Sequence, residues 1–203
     1  MSIFNRIPAR EWRDLLVAWI AISVAFTLIF IPDGITRATP ISFLVSFVIS
    51  LLTVGIGFVL HEMAHKFTAM HYGYWAEFRK DNSMLLIAIA MAALVGIVFA
   101  APGATMIYGS TSRSQNGWIS AAGPLTNLAL CIPFAAIALL SPSFGILWYL
   151  GRVGLQVNAM IATFNMLPVS VLDGRKVLAW NPVIFGILIS ASLAVLFGSL
   201  AYL

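Results

Sequence analysis

The sequence predicts an all-α polytopic membrane protein with five to six transmembrane helices and a re-entrant helix and extended strand around residues 84–110. Three observations predict it. Of its 203 residues, 61% are hydrophobic and only 9% charged, whereas soluble domains carry about 25% charged residues. The mean hydropathy is +0.99. The apolar residues also fall into six runs, most near the length of about 20 residues that a helix needs to cross a bilayer, and the short connections hold nearly all the charge.

The first run, Leu15 to Ile31, ends at Pro32-Asp33-Gly34 and reads as a permanent span, because the polar stretch Met1 to Trp12 lacks the pattern of a cleaved signal. The second, Ile41 to Leu60, continues without a breaker into His61-Glu62-Met63-Ala64-His65. Met84 to Ala101 closes at Pro102-Gly103, Trp118 to Leu140 at Ser141-Pro142, and Phe144 to Leu167 at Pro168; Pro182 to Leu203 is the last run. Proline and glycine at these points stop helices by removing a donor or freeing the backbone. Residues 1–203 are expected to form one membrane-embedded domain.

Net charge is +4. The basic residues sit between apolar runs, so they act as orientation signals and contacts for the lipid bilayer, not as a nucleic-acid surface. Arg6, Arg10 and Arg13 precede the first span, which places the N-terminus in the cytoplasm and brings His61 to the cytoplasmic side. If Met84 to Ala101 dips in and returns through Ala101 to Ile107, only Arg37 and Arg152 of the eleven basic residues lie outside. That bias exceeds the one given by a full crossing. Irregular backbone at membrane depth is tolerated beside protein or a water-filled cavity. Pro102, Gly103, Ala104 and Thr105 of the return segment are candidate substrate-binding residues, since an extended peptide can pair with such a strand. Cys131 has no partner for an internal disulfide and reads as a packing residue.

His61 and His65, four apart, lie on one face of a helix and can grip one zinc ion, while Glu62 can serve as general base without being a ligand. A catalytic zinc takes three protein ligands and keeps a position open. The third must come from a distant acid. Asp33 falls on the far side, and Glu11 and Asp14 flank the N-terminal basic cluster. Asp173, after the proline that ends a long apolar run, and Glu77, in the polar loop after the motif, both stay open. Ionisable groups at membrane depth are costly and default to a functional reading. His71 reads as an interfacial residue, and Asn127 and Asn158 as interhelical hydrogen-bonding groups.

The HEMAH motif ending an apolar helix, Ala121-Ala122-Gly123-Pro124-Leu125-Thr126-Asn127, Asn165-Met166-Leu167-Pro168 and Leu172-Asp173-Gly174 together resemble the site-2 protease family of intramembrane zinc metalloproteases, over roughly residues 41–178. Val171 stands where that family commonly has a second proline. The resemblance implies that His61, His65 and Asp173 hold one zinc per chain and that Glu62 activates water. It also implies that Asn165 holds substrate or the developing oxyanion, and that the substrates are transmembrane proteins cut in or near their spans. The expected setting is the cell membrane, with the active site nearer the cytoplasm. The rival readings are an inactive relative that binds membrane proteins and a small metal-dependent transporter. The transporter predicts polar residues scattered through several spans, and the sequence does not have them. Oligomeric state is not legible.

Overall fold

The computed structural model describes residues 7–32, 34–98 and 103–202, so Pro102 lies outside the described residues. The elements are α1 (Ala9–Phe30), a 3-10 turn (Ile35–Arg37), α2 (Pro40–Ser50), α3 (Ile56–His71), β1 (Trp75–Lys80), α4 (Asn82–Val95), β2 (Gly103–Tyr108), α5 (Arg113–Leu140), α6 (Ile146–Asn165), α7 (Asp173–Trp180) and α8 (Pro182–Tyr202). A single π turn, Leu51–Gly55, joins α2 to α3, so the helix runs on from Pro40 to His71. Among the described residues four helices are long and apolar enough to cross a membrane: α1, the continuous α2–α3, α5 and α8. The chain is a helical integral membrane protein.

Two segments differ from the sequence reading. Residues 75–80, expected as a polar loop, form β1 and pair with β2 in a two-stranded sheet. The pairing partner lies more than 20 residues on, beyond the reach of local pattern. The run Met84 to Ala101 is helical only to Val95, where Gly96 takes a left-handed conformation (φ 73°) and closes the helix on the Ala92 carbonyl. At 1.5 Å per residue α4 is about 21 Å long, short of a hydrocarbon core of about 30 Å. Its start is set by Asp81, whose carboxylate accepts from the N–H groups of Ser83 and Met84.

The chain forms two compact units. In the first, Met1–Val59 with Ala76–Met106, α1 packs against α2, the π turn and α4. Here α1 begins at Ala9, earlier than hydropathy suggests, because its acids are used: the Glu11 carboxylate accepts the Phe78 N–H at 3.0 Å, and Asp14 lies 3.6 Å from Arg79. Glu77 pairs with the same guanidinium at 2.6 Å. Gly103 lies against the Arg79 carbonyl, where a Cβ would come within 2.5 Å, so only glycine admits this strand contact. At Gly55 a Cβ would meet the Trp19 indole at 2.1 Å. The missing side chain lets that indole N–H reach the Leu51 carbonyl (3.1 Å) at the π turn, where regular helix bonding is interrupted.

In the second unit, Leu60–Trp75 with Ile107–Leu203, α5 packs against α6 and α7, and α8 against α6 and α7. Gly151 brings α6 against the α5 backbone at Ala138 and Gly154 receives the Phe134 ring, as small residues do between membrane helices. Ala121, Met166, Val177 and Leu188 form one buried cluster; Cys131, Phe134, Leu155 and Ala159 form another, with Cys131 buried as a packing residue.

Two alanine substitutions separate close packing from helix propensity. Gly55→Ala drives a methyl into Trp19 and is expected to cost about 1–3 kcal/mol. Gly186→Ala in α8 meets nothing within 4 Å and is expected to be neutral or to gain up to about 1 kcal/mol. Thermal unfolding in detergent reads both.

Candidate metal centre

All four residues of the predicted metal chemistry fall in the second unit. An uninterrupted turn of α3 sets His61 and His65 on one face, with ring centroids 4.6 Å apart. Asp173 is the first residue of α7. The turn after α6 folds back sharply, with Ser170 in the left-handed region (φ 52°), and Gly174 makes the return possible: a Cβ there would meet the Met166 carbonyl oxygen at 2.1 Å. The Leu-Asp-Gly sequence thus places the carboxylate by letting α7 start against the end of α6.

Three ligand-type atoms converge. His61 Nε2 and His65 Nε2 are 3.0 Å apart, and Asp173 Oδ2 lies 3.3 Å and 3.1 Å from them. Tetrahedral bonds of about 2.0–2.1 Å place neighbouring ligand atoms about 3.3 Å apart. The three residues are 4%, 8% and 7% exposed, so they lie largely out of bulk solvent. Among the described residues this is the one group of three metal-binding side chains that meets. Glu77, the other acid left open by the sequence, sits on β1 with Arg79 instead.

The hydrogen bonds behind the imidazoles fix which ring nitrogen faces away from Asp173. The Gly154 carbonyl can only accept, so the Asn158 amide N–H faces it (2.8 Å). Asn158 Oδ1 therefore accepts from Asn127 Nδ2 (2.9 Å), which leaves Asn127 Oδ1 toward His61 Nδ1 at 2.6 Å. His61 must then donate from Nδ1, which leaves Nε2 toward Asp173. The Ile119 carbonyl, 2.7 Å from His65 Nδ1, makes that nitrogen a donor as well. On both rings Nε2 is thus the atom left to face Asp173, and the one a cation would take. Space is present too. A Cβ on Gly123 would lie 2.5 Å from both Nε2 atoms, so the absent side chain leaves room beside them. These residues fit a zinc ion.

Glu62 is buried on the same turn of α3, outside the three converging atoms. Asn165 is half-buried at the end of α6, its amide donating to the Ile161 carbonyl at 3.0 Å. Gly103, Ala104 and Thr105 are extended in β2, and His71 is exposed at the end of α3. Two roles escaped sequence reasoning. Asn127 and Asn158 do link α5 to α6, as expected, but they also orient His61. Gly123 is a gap at the imidazoles, not only part of a packing motif. The signal available was a Gly-Pro pair and an asparagine inside an apolar helix. Nothing local says what they face.

The description Peptidase family M50 matches residues 49–153. The chain is 39% identical over 188 residues, 92% of each protein, to "Putative zinc metalloprotease MJ0611" of Methanocaldococcus jannaschii. No solved structure matches it.

Removing the Nδ1 acceptor should loosen the metal without touching a ligand. Asn127→Leu is expected to weaken zinc binding about 10–100-fold, and Asn127→Asp, which keeps an acceptor, by less. Gly123→Ala should abolish stoichiometric zinc. Chelator competition on purified protein measures all three.

Proposed function

Because this chain belongs to peptidase family M50, the site-2 protease family, we propose that it hydrolyses peptide bonds in or near the transmembrane segments of membrane-protein substrates, with His61, His65 and Asp173 holding one zinc. The observation that carries this reading is the meeting of two Nε2 atoms and one carboxylate oxygen within 3.3 Å, in buried surroundings. When bound, zinc supplies Lewis acidity, polarising the scissile carbonyl and acidifying water.

The protein's own groups do the rest. Glu62 accepts a proton from the attacking water and returns it to the leaving amine nitrogen. Asn165 uses one amide hydrogen on Ile161 and has a second to offer the developing oxyanion. A helical substrate bond is shielded by its own hydrogen bonds, so the substrate must be unwound. β2 can receive the extended segment, because the other edge of the sheet is taken: the Phe78 N–H of β1 is already bound by Glu11. Substrate-binding roles follow for Gly103, Ala104 and Thr105, with Pro102 adjoining them.

The proposed path through the membrane has five to six spans, with α6 crossing, and α4 with β2 dipping in and returning. The length of α4 supports the dip. The arrangement puts the N-terminus and the site toward the cytoplasm of a multi-pass cell-membrane protein, consistent with the basic residues around α1 and α3. Residues 1–203 act as one membrane-embedded protease domain with its catalytic core over about 41–178. Transmembrane proteins are the partners, and lipid the solvent.

Purified protein should carry about one zinc per chain, lost in His61→Ala. Glu62→Gln should keep the metal and lower cleavage about 10²–10⁴-fold. Metal analysis, together with proteomic comparison of membranes holding wild-type or Glu62→Gln protein, reads both. Zinc with no substrate accumulating in the Glu62→Gln membranes would favour a binding-only relative, and absence of zinc would sink the hydrolytic reading.

A further inference from the structure

A second polar feature of the same unit lies outside the metal chemistry. A cavity of about 460 Å³ is lined by Arg113 and Asn116 from the first turns of α5, by Ser170 in the turn after α6, and by Arg175 and Lys176 of α7. Three cations thus line one cavity, and among the described residues no carboxylate lines it. Outside the lining, Asp173 lies 3.8 Å from Lys176 Nζ, and its other oxygen faces the two imidazoles.

The two guanidiniums are held from behind. Arg113 Nε donates to the Ala179 carbonyl and Arg175 Nη1 to the Ser170 carbonyl at 3.2 Å. A guanidinium has five N–H donors, so each keeps several after that bond. Backbone anchoring spares much of the entropy of arresting a long side chain, and it pre-sets a fork that suits phosphate oxygens. Ser170 holds its carbonyl on Arg175 from a left-handed backbone, a strained state that persists where surrounding structure over-determines it.

Position selects the source of the anion. Arg113 opens α5 and Ala179 lies just before α8, and both helices are apolar spans. The cavity therefore sits where two spans begin. Trp118 and Trp180 pair beside it with centroids 4.9 Å apart, Trp180 covering Gly117. Tryptophan and arginine together mark the headgroup level of a membrane. We propose that this cavity binds the phosphate of an anionic phospholipid headgroup. Arg113, Arg175 and Lys176 supply the charge, and Asn116 supplies a neutral hydrogen-bonding group. Through Lys176, which also faces Asp173, the bound headgroup stands one residue away from a metal-binding side chain.

The test is direct binding and does not depend on zinc or cleavage. Full-length protein in neutral detergent is titrated with dioctanoyl phosphatidylglycerol, dioctanoyl phosphatidylcholine, inorganic phosphate or an acidic peptide, following Tm and lipid retention in native mass spectrometry. Phosphatidylglycerol should raise Tm saturably and survive as a one-to-one adduct. Arg175→Gln and Lys176→Gln should each weaken it about fivefold, the effect of one basic group at an anionic surface. Lys176→Gln makes no backbone anchor, so it tests the site even if Arg175→Gln fails to fold. Equal binding of phosphatidylcholine, or phosphatidylglycerol binding unchanged in both variants, overturns the proposal. Saturable binding of inorganic phosphate or of the acidic peptide in place of the lipid overturns it as well.

Discussion

The structure depends on placing three groups that water would otherwise solvate, two imidazoles and a carboxylate, within 3.3 Å of one another in a chain whose solvent is largely lipid. Each buried polar group must be answered by another group, because an unanswered one costs several kcal/mol in such surroundings. One answer is mutual, from carboxylate to imidazoles. The other is a relay that ends on backbone carbonyls at Gly154 and Ile119. A carbonyl has only lone pairs to give. Its acceptor character passes through two amides and settles which nitrogen of His61 donates to Asn127 and which faces Asp173.

The glycines serve the same constraint. Gly174 lets α7 begin against the Met166 carbonyl, which brings Asp173 to the imidazoles, and Gly123 leaves open the space next to them. In the other unit Gly55 and Gly103 allow an indole and a strand to approach the backbone. None of these positions tolerates a methyl group without movement of backbone or a rigid ring. The helices are made by hydrophobicity, but the contacts that position chemistry are made where side chains are absent.

Charge is used sparingly and in opposite ways. In the first unit Glu11, Asp14 and Glu77 gather round β1 and Arg79, Glu11 taking a strand N–H and the other two facing the guanidinium. In the second, Arg113, Arg175 and Lys176 line a cavity with no acid among the described residues of its lining. Buried carboxylates with backbone and guanidinium partners are structural. Cations braced on carbonyls at the start of two apolar helices have charge left for an outside anion.

The sequence by itself determined the helices and the pairing of two imidazoles on one of them. Apolar run length is local, and it gave α1, α2–α3, α5, α6 and α8 to within several residues. Four-residue spacing on one helix is also local, so His61 and His65 were legible as a pair, with Glu62 between them. The strand of residues 75–80 was not legible, because its reason for being extended is a partner segment some thirty residues away. Nor could the sequence choose between Asp173 and Glu77 without a family likeness, since both are acids beyond the motif. Tertiary structure brought Asp173, not Glu77, to the imidazoles, by folding α7 back on α6 and pairing Glu77 with Arg79. It alone revealed that Asn127, Asn158 and Gly123 serve the imidazoles. Local patterns record which face of a segment is apolar, whereas hydrogen-bond partners and missing volume belong to pairs of segments and exist only once the chain has closed.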